Sequence, residues 1–295
     1  EMVPTLPRML AKEGYVSLQT GKWWEGEYSR GGFTEGMTHG DPARGGRHGD
    51  AGLTIGRQGL SEITDFIDRA VASDSPFCIW YAPFLPHAPH TPPERLERKY
   101  LPKAPTPAVA KYWAMCEWFD ETCGQLLEYL DEKRLRENTI VVYVCDNGWI
   151  QAPDRPNQFA PRSKQSPYEG GIRTPIMIRW PARVKVKFDT ETLVSSIDLV
   201  TTLLEACGLE PTEAMQGVNL LDGQALSERS SVYAAAYEHD ILDINRPAQS
   251  LKYRVVIDGA SKLILPNAAR LPEARPELYD LAEDPHERSD LAAAQ

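Results

Sequence analysis

Apolar and polar positions alternate along the chain in a way that marks helices and strands in turn. Thr5 to Glu13 predicts a short helix closed by Gly14, a common left-handed stop. Tyr15 to Thr20 is the first predicted strand. Leu60 to Ala72 spaces Ile63, Phe66, Ile67 and Ala70 at helical intervals, so that one face faces a core. Phe77 to Phe84 is a continuous apolar run after Pro76 and predicts a buried strand. A long helix is predicted over Ala108 to Leu135, with Trp113, Cys116, Phe119, Cys123, Leu126, Leu127 and Leu130 on its apolar face. Thr139 to Cys145 is β-branched and apolar on both faces, the pattern of a central strand covered on both sides. Pro175 to Trp180 is another short strand. Ser195 or Ser196 then caps a predicted helix through Leu199, Leu203 and Leu204 that stops at Gly208.

This alternation implies an α/β fold. Beyond residue 230 the pattern changes. Val232 to Tyr237, Tyr253 to Ile257 and Lys262 to Leu265 are short strands with no room for crossover helices, which predicts a small antiparallel sheet. The expected division is therefore an α/β part over 1–228 and a sheet subdomain over 229–295. Between the first strand and the helix at Leu60, Glu25 to Asp50 is rich in Gly, Arg and His and has little periodicity. A loop of that length in a compact domain is usually functional or disordered.

Composition narrows the possible roles. A chain of 295 residues can bury a substantial core. No apolar run approaches the length of a membrane span. Lys and Arg number 32 against 42 Asp and Glu, a net charge of −10. That balance argues against a nucleic-acid binder and leaves anions to a local positive site. Five cysteines, an odd number, exclude a fully paired disulfide framework. Cys78 and Cys145 lie in apolar strands, and Cys116 and Cys123 on an apolar helix face, as core residues do.

Four short segments carry candidate chemistry. Asp146-Asn147-Gly148 sits at the carboxyl end of the strongest strand, where α/β sheets bind ligands. Its side chains are hard oxygen donors suited to Ca²⁺ or Mg²⁺, although Asn-Gly after a strand is also an ordinary turn. His87 lies in Phe84-Leu85-Pro86-His87-Ala88-Pro89-His90-Thr91-Pro92-Pro93. Prolines fix the φ angles of that loop, so its histidine is positioned to donate a hydrogen bond or a proton, or else simply decorates a surface turn. Lys22, in Gly21-Lys22-Trp23-Trp24, offers a compact cation after the first strand, or a solvated surface charge. Lys164 belongs to Ser163-Lys164-Gln165-Ser166-Pro167-Tyr168-Glu169-Gly170-Gly171-Ile172-Arg173-Thr174-Pro175, whose paired glycines permit close backbone approach.

In this order the segments resemble the sulfatase family of the alkaline-phosphatase superfamily. The GKW segment, the Pro-His-x-Pro loop, the strand ending in DNG and the K-x-x-x-Y-E-G-G-x-R-x-P run all match. So do the helix at Ser195 to Gly208, the turn Met215-Gln216-Gly217 and the C-terminal segment Glu277 to Leu291 (ELYDLAEDPHERSDL). The resemblance covers nearly the whole chain. It implies an alkaline phosphatase-like mixed sheet flanked by helices and the metal-dependent hydrolysis of sulfate esters. It implies that Asp146 and Asn147 ligate a divalent metal, usually Ca²⁺, and that Lys22 and Lys164 contact the sulfate. His87 matches a histidine on the sulfate or leaving oxygen, with His90 as a second candidate. A cation and two lysines would stabilise the charge that develops on the leaving oxygen.

Two departures shape the expectation. Many sulfatases continue GKW with His, where this chain has Trp24. His39 or His48 could supply the imidazole, or order the loop instead. The family's nucleophile is a formylglycine made from Cys or Ser in a C/S-x-P-x-R motif, and none of Cys78, Cys116, Cys123, Cys145 and Cys207 lies in one. The family's early Asp-Asp metal pair is missing as well. The chain is therefore expected to be the C-terminal portion of a sulfatase, inactive alone. Alternatives are a phosphoryl or phosphonate hydrolase of the same superfamily and a non-catalytic sulfated-glycan-binding relative. The expected substrate is a sulfated small molecule or glycan, and Tyr28, Arg30, Phe33, Arg44 and Arg47 in the long loop are compatible with a sugar sulfate. The resemblance leaves a periplasmic or secreted location open.

Overall fold

Thr5 opens the first helix: its hydroxyl accepts from the Arg8 amide, and a proline fills an early position that needs no donor. The computed structural model describes residues 3–23, 26–41, 43 and 51–294; Trp24, Arg44, Arg47 and His48 lie outside the described residues. Contacts divide the chain into two compact units, residues 1–137 with 153–157, and residues 138–152 with 158–295.

In the first unit, α1 (Leu6–Ala11) leads through Gly14, at φ +81°, into β1 (Val16–Gly21). β1 is central, paired in parallel with β2 (Glu35–Gly36) on one side and β3 (Phe77–Ala82) on the other. Parallel neighbours need a crossover, and α2 (Ser61–Ala72) provides it. Its buried residues are Ile63, Phe66, Ile67 and Ala70, the four that periodicity marks. β3 differs from its expected burial. It is the edge strand of its sheet, so its side chains are only half-buried and Trp80 is exposed.

After α3 (Glu94–Tyr100) comes the long helix α4 (Pro107–Glu132), capped by Thr106. Its buried residues are Ala108, Val109, Ala110, Ala114, Met115, Thr122 and Leu130. Of the predicted apolar face only Leu130 belongs to this set. Small alanines let the helix approach its neighbours closely, and the large aromatics pack along its flanks: Trp113 meets Tyr100 edge-on at 6.0 Å, and Phe119 stacks on Tyr81 at 6.5 Å.

The second unit begins with β4 (Val141–Val144), followed by α5 (Glu169–Ile172) and β5 (Ile176–Arg179). β4 pairs with β5 alone among the described strands, antiparallel and half-buried, rather than standing in the middle of a covered sheet. Next is α6 (Asp198–Ala206). Neither Ser195 nor Ser196 caps it through its hydroxyl. The buried Asp198 carboxylate does the work, accepting from Ser195 N at 2.7 Å and Val218 N at 2.9 Å while Arg229 grips it at 2.6 and 2.8 Å. Burial pushes the Asp198 carboxyl up, but Arg229 and the two amides outweigh it and hold the group below the usual carboxylate range. α7 (Gly223–Glu228) leads into a four-stranded antiparallel sheet: β6 (Ser231–Tyr237), β7 (Leu251–Asp258), β8 (Ser261–Pro266) and β9 (Glu277–Asp280), in that order.

Val255, Ile264 and Tyr279 form the core of that sheet, with Tyr168 and Ile172 packed against them. The sheet thus shares a core with a segment well before residue 228. This is why contacts group it with β4 and β5 and place the division near residue 137.

Candidate active site

In the first unit the carboxyl ends of β1 and β3 carry the candidate groups. Gly21 ends β1 at φ +75°, and a Cβ there would collide with the Ala82 carbonyl. The Lys22 amide donates to that same carbonyl at 2.6 Å. The Lys22 ammonium then lies 5.9 Å from the centre of the Phe84 ring, within cation–π range. His87, exposed, has its ring 5.0 Å from the same Phe84 ring, with Nδ1 2.7 Å from Ala88 O. Lys22 and His87 therefore meet around one phenylalanine. His90 differs: it is buried, tilts against Tyr112 at 5.4 Å, and its amide donates to Asn157 Oδ1 at 2.7 Å. Burial, then the nearby His87 and Arg57, push its imidazole down to about 4, so it is uncharged at neutral pH.

Two residues without a motif hold these groups. Gln19, buried in β1, accepts from Thr38 N and Thr38 Oγ1 and donates to Gly21 O at 3.0 Å. It thereby ties the turn before Lys22 to the residue before His39, which is itself half-buried. Arg57 donates to Phe84 O at 2.8 and 3.3 Å, to His87 O at 3.3 Å and to Thr91 Oγ1 at 3.0 Å, and its guanidinium lies 5.6 Å from the Trp118 ring. One planar fork thus spans the whole proline loop. A polar Gln inside an apolar strand is a readable signal for the first; the second carries none.

In the second unit, Asp146 and Asn147 follow β4 directly. The turn is locked from below: Gly148 N donates to Gly171 O at 2.8 Å, and a Cβ on Gly148 would sit 2.2 Å from Gly170 O. Ser163 is buried and accepts from Ile150 N at 2.6 Å. Lys164, half-buried, carries its ammonium 5.6 Å from the Trp149 ring, two residues past Asn147. The Asp146 turn and Lys164 thus lie on one tightly packed layer of backbone. Glu169 opens α5 behind it and pairs with the fully buried Lys262 at 2.8 Å, which also pairs with Glu287 at 2.7 Å. Burial and Glu277 push the Tyr168 phenol up to about 12, and Tyr279 higher still.

A divalent cation of the Ca²⁺ type takes about six to eight oxygen ligands. The Asp146 carboxylate and Asn147 amide fit that preference, and the Asn147 amide nitrogen is already engaged with Gly148 O at 2.9 Å, which leaves its oxygen as the donor. Among the described residues no group of three or more His, Cys, Asp or Glu could hold a metal ion, so this pair would supply two ligands of a larger set.

Residues 1–209 match the family model described as Sulfatase. The chain belongs to the sulfatase family. Residues 162–295 of this sulfatase also match a model described as N-sulphoglucosamine sulphohydrolase, C-terminal. It is similar to N-acetylgalactosamine-6-sulfatase of Homo sapiens, 30% identical over 256 residues covering 73% of this chain and 47% of that protein. The Canis lupus familiaris protein of the same name is 33% identical over 194 residues, 63% of this chain and 35% of that one. The chain thus spans about half or less of the length of these curated relatives. Among solved structures, that of Ps i-CgsB in complex with k-i-k-neocarrahexaose aligns with a TM-score of 0.75 at 20% identity, over 98% of this chain and 70% of that one. The fold is alkaline phosphatase-like. Sulfatases are in general metal-dependent. No helix among the described residues is long and apolar enough to cross a membrane.

Proposed function

We propose that the whole sulfatase hydrolyses sulfate esters of a sulfated glycan or its fragments, with a divalent cation, Ca²⁺ or Mg²⁺, held in part by Asp146 and Asn147. The packing of the Asp146-Asn147-Gly148 turn and Lys164 onto one glycine-walled layer carries this reading. The names of the relatives, N-acetylgalactosamine-6-sulfatases, support the sugar sulfate.

A bound cation would neutralise sulfate charge, and the family's formylglycine would supply the nucleophile. The residues of this chain do the rest. Lys164 and Lys22 each present a compact cation to sulfate oxygens. His87, exposed and fixed by its proline loop, is placed to hydrogen-bond the leaving oxygen or to hand it a proton. His90, buried and uncharged at neutral pH, instead supports the loop. His39 is the described histidine available for the position taken by His after GKW in many relatives.

The test is Asp146→Ala in the full-length protein. It is expected to lower turnover of a sulfated sugar at least about hundredfold and to lower bound metal. Wild-type turnover and wild-type metal content in that variant would defeat the assignment.

A further inference from the structure

Glu287 lies far along the sequence from the candidate site, yet it grips both ends of the segment that carries Lys164. Its carbonyl accepts from the Arg162 guanidinium at one end. Its carboxylate accepts from Glu169 N at 2.7 Å at the other. The same carboxylate pairs with Lys262 at 2.7 Å, and Lys262 pairs back to Glu169 at 2.8 Å. Lys262 and Glu287 are 0% and 1% exposed.

The grip is built at a conformational cost. Glu287 sits at φ +55° and Arg162 at φ +56°, both left-handed for residues with a Cβ. Such backbones persist where surrounding contacts over-determine them. From Glu169 the path to the site is short, because α5 contains Gly171, whose carbonyl accepts the Gly148 amide. The segment from Arg162 to Ile172, Lys262 of β8 and the C-terminal Asp284-Pro285-His286-Glu287 run thus converge on one buried cluster.

We propose that Glu287, with Lys262 and Glu169, is a positioning group for the site: it sets the register of the 162–172 segment, and through Gly171 that of the Asp146-Asn147-Gly148 turn. This inference rests on the functional reading above. Glu287 touches no substrate. It acts by fixing where Lys164 and the two oxygen donors stand, as outer partners of metal ligands commonly do. The hydrogen bond to Glu169 N needs an acceptor at residue 287 but not a charge, which separates a glutamine from an alanine there.

The test uses Glu287→Ala, Glu287→Gln and Arg162→Met in the full-length protein, read by hydrogen exchange and Ca²⁺ titration calorimetry well below the melting temperature. Glu287→Ala is expected to speed exchange at least about tenfold in 145–150 and 162–172 while α2 stays at the wild-type rate. It is also expected to weaken Ca²⁺ binding about tenfold. Glu287→Gln is expected to recover most of both. Arg162→Met, which releases the other end together with the guanidinium's contacts to Tyr168 and Tyr279, is expected to open the same two peptides if Glu287→Ala fails to fold. Exchange and Ca²⁺ affinity at wild-type values in the folded variants would overturn the proposal, as would faster exchange spread evenly over α2. Asp146→Ala serves as the control: if it keeps wild-type Ca²⁺ affinity, the cation reading fails whatever the exchange shows.

Discussion

Arg57 shows how one side chain can set several others. Its fork reaches Phe84 O, His87 O and Thr91 Oγ1 together from nitrogens spread over one rigid plane, a span that a single ammonium nitrogen does not match. Arg57→Lys keeps the charge and loses the fork. It is expected to lower kcat about tenfold through misplacement of His87, with KM little changed. Equal kcat in variant and wild type would remove Arg57 from this role. His90 makes a second residue-scale point. Its imidazole sits near 4 in the folded protein against an ordinary 6.5, so the unfolded chain binds the extra proton between those values. The stability it confers is complete above pH 6.5 and is lost as pH falls toward 4, by up to about 3 kcal/mol. His90→Gln is expected to flatten that part of the pH dependence, checked by urea melts at pH 7 and pH 5. An unchanged difference between the two melts would count against a buried neutral imidazole.

At the scale of elements, α2 was legible because its apolar positions repeat cleanly and all four are buried. α4 was legible in extent but not in orientation. Large apolar residues invite assignment to the core, yet the buried positions are largely small, with Ala108, Ala110 and Ala114 beside Met115. Met115→Ala is therefore expected to cost about 3 kcal/mol, and Trp113→Ala about 1 kcal/mol or less. Comparable losses in thermal melts of the two variants would restore the face that the sequence predicts. The strands β3 and β4 looked central because they are apolar throughout, but strand composition does not reveal how many edges are paired. The site followed the same division. Asp146, Asn147, Lys164, Lys22 and His87 stood out through local motifs, whereas Arg57 and Lys262 act over long sequence distances that no local pattern encodes. Glu287 lies inside the C-terminal Glu277 to Leu291 motif, but its partner Glu169 is 118 residues away in sequence, which the motif does not reveal.

On the scale of the whole molecule, the chain carries a net charge of −10, yet its candidate cations Lys22 and Lys164 are half-buried, the first directly after β1. With no C/S-x-P-x-R motif at any of its five cysteines, the 295-residue chain alone is expected to give no turnover of an aryl sulfate; measurable turnover by it would remove the need for the family nucleophile. Lys22 and His87 belong to the first compact unit, and Asp146, Asn147 and Lys164 to the second. The glycine layer beneath Asp146 has a consequence for descent. Gly148, Gly170 and Gly171 are excluded from change by neighbouring backbone, with no reference to any ligand. A lineage that abandoned sulfate chemistry would still be obliged to keep all three. Lys164, whose ammonium answers to substrate, would be the first to drift. Retention of the glycines is therefore a record of folding, and the lysine between them is the record of use.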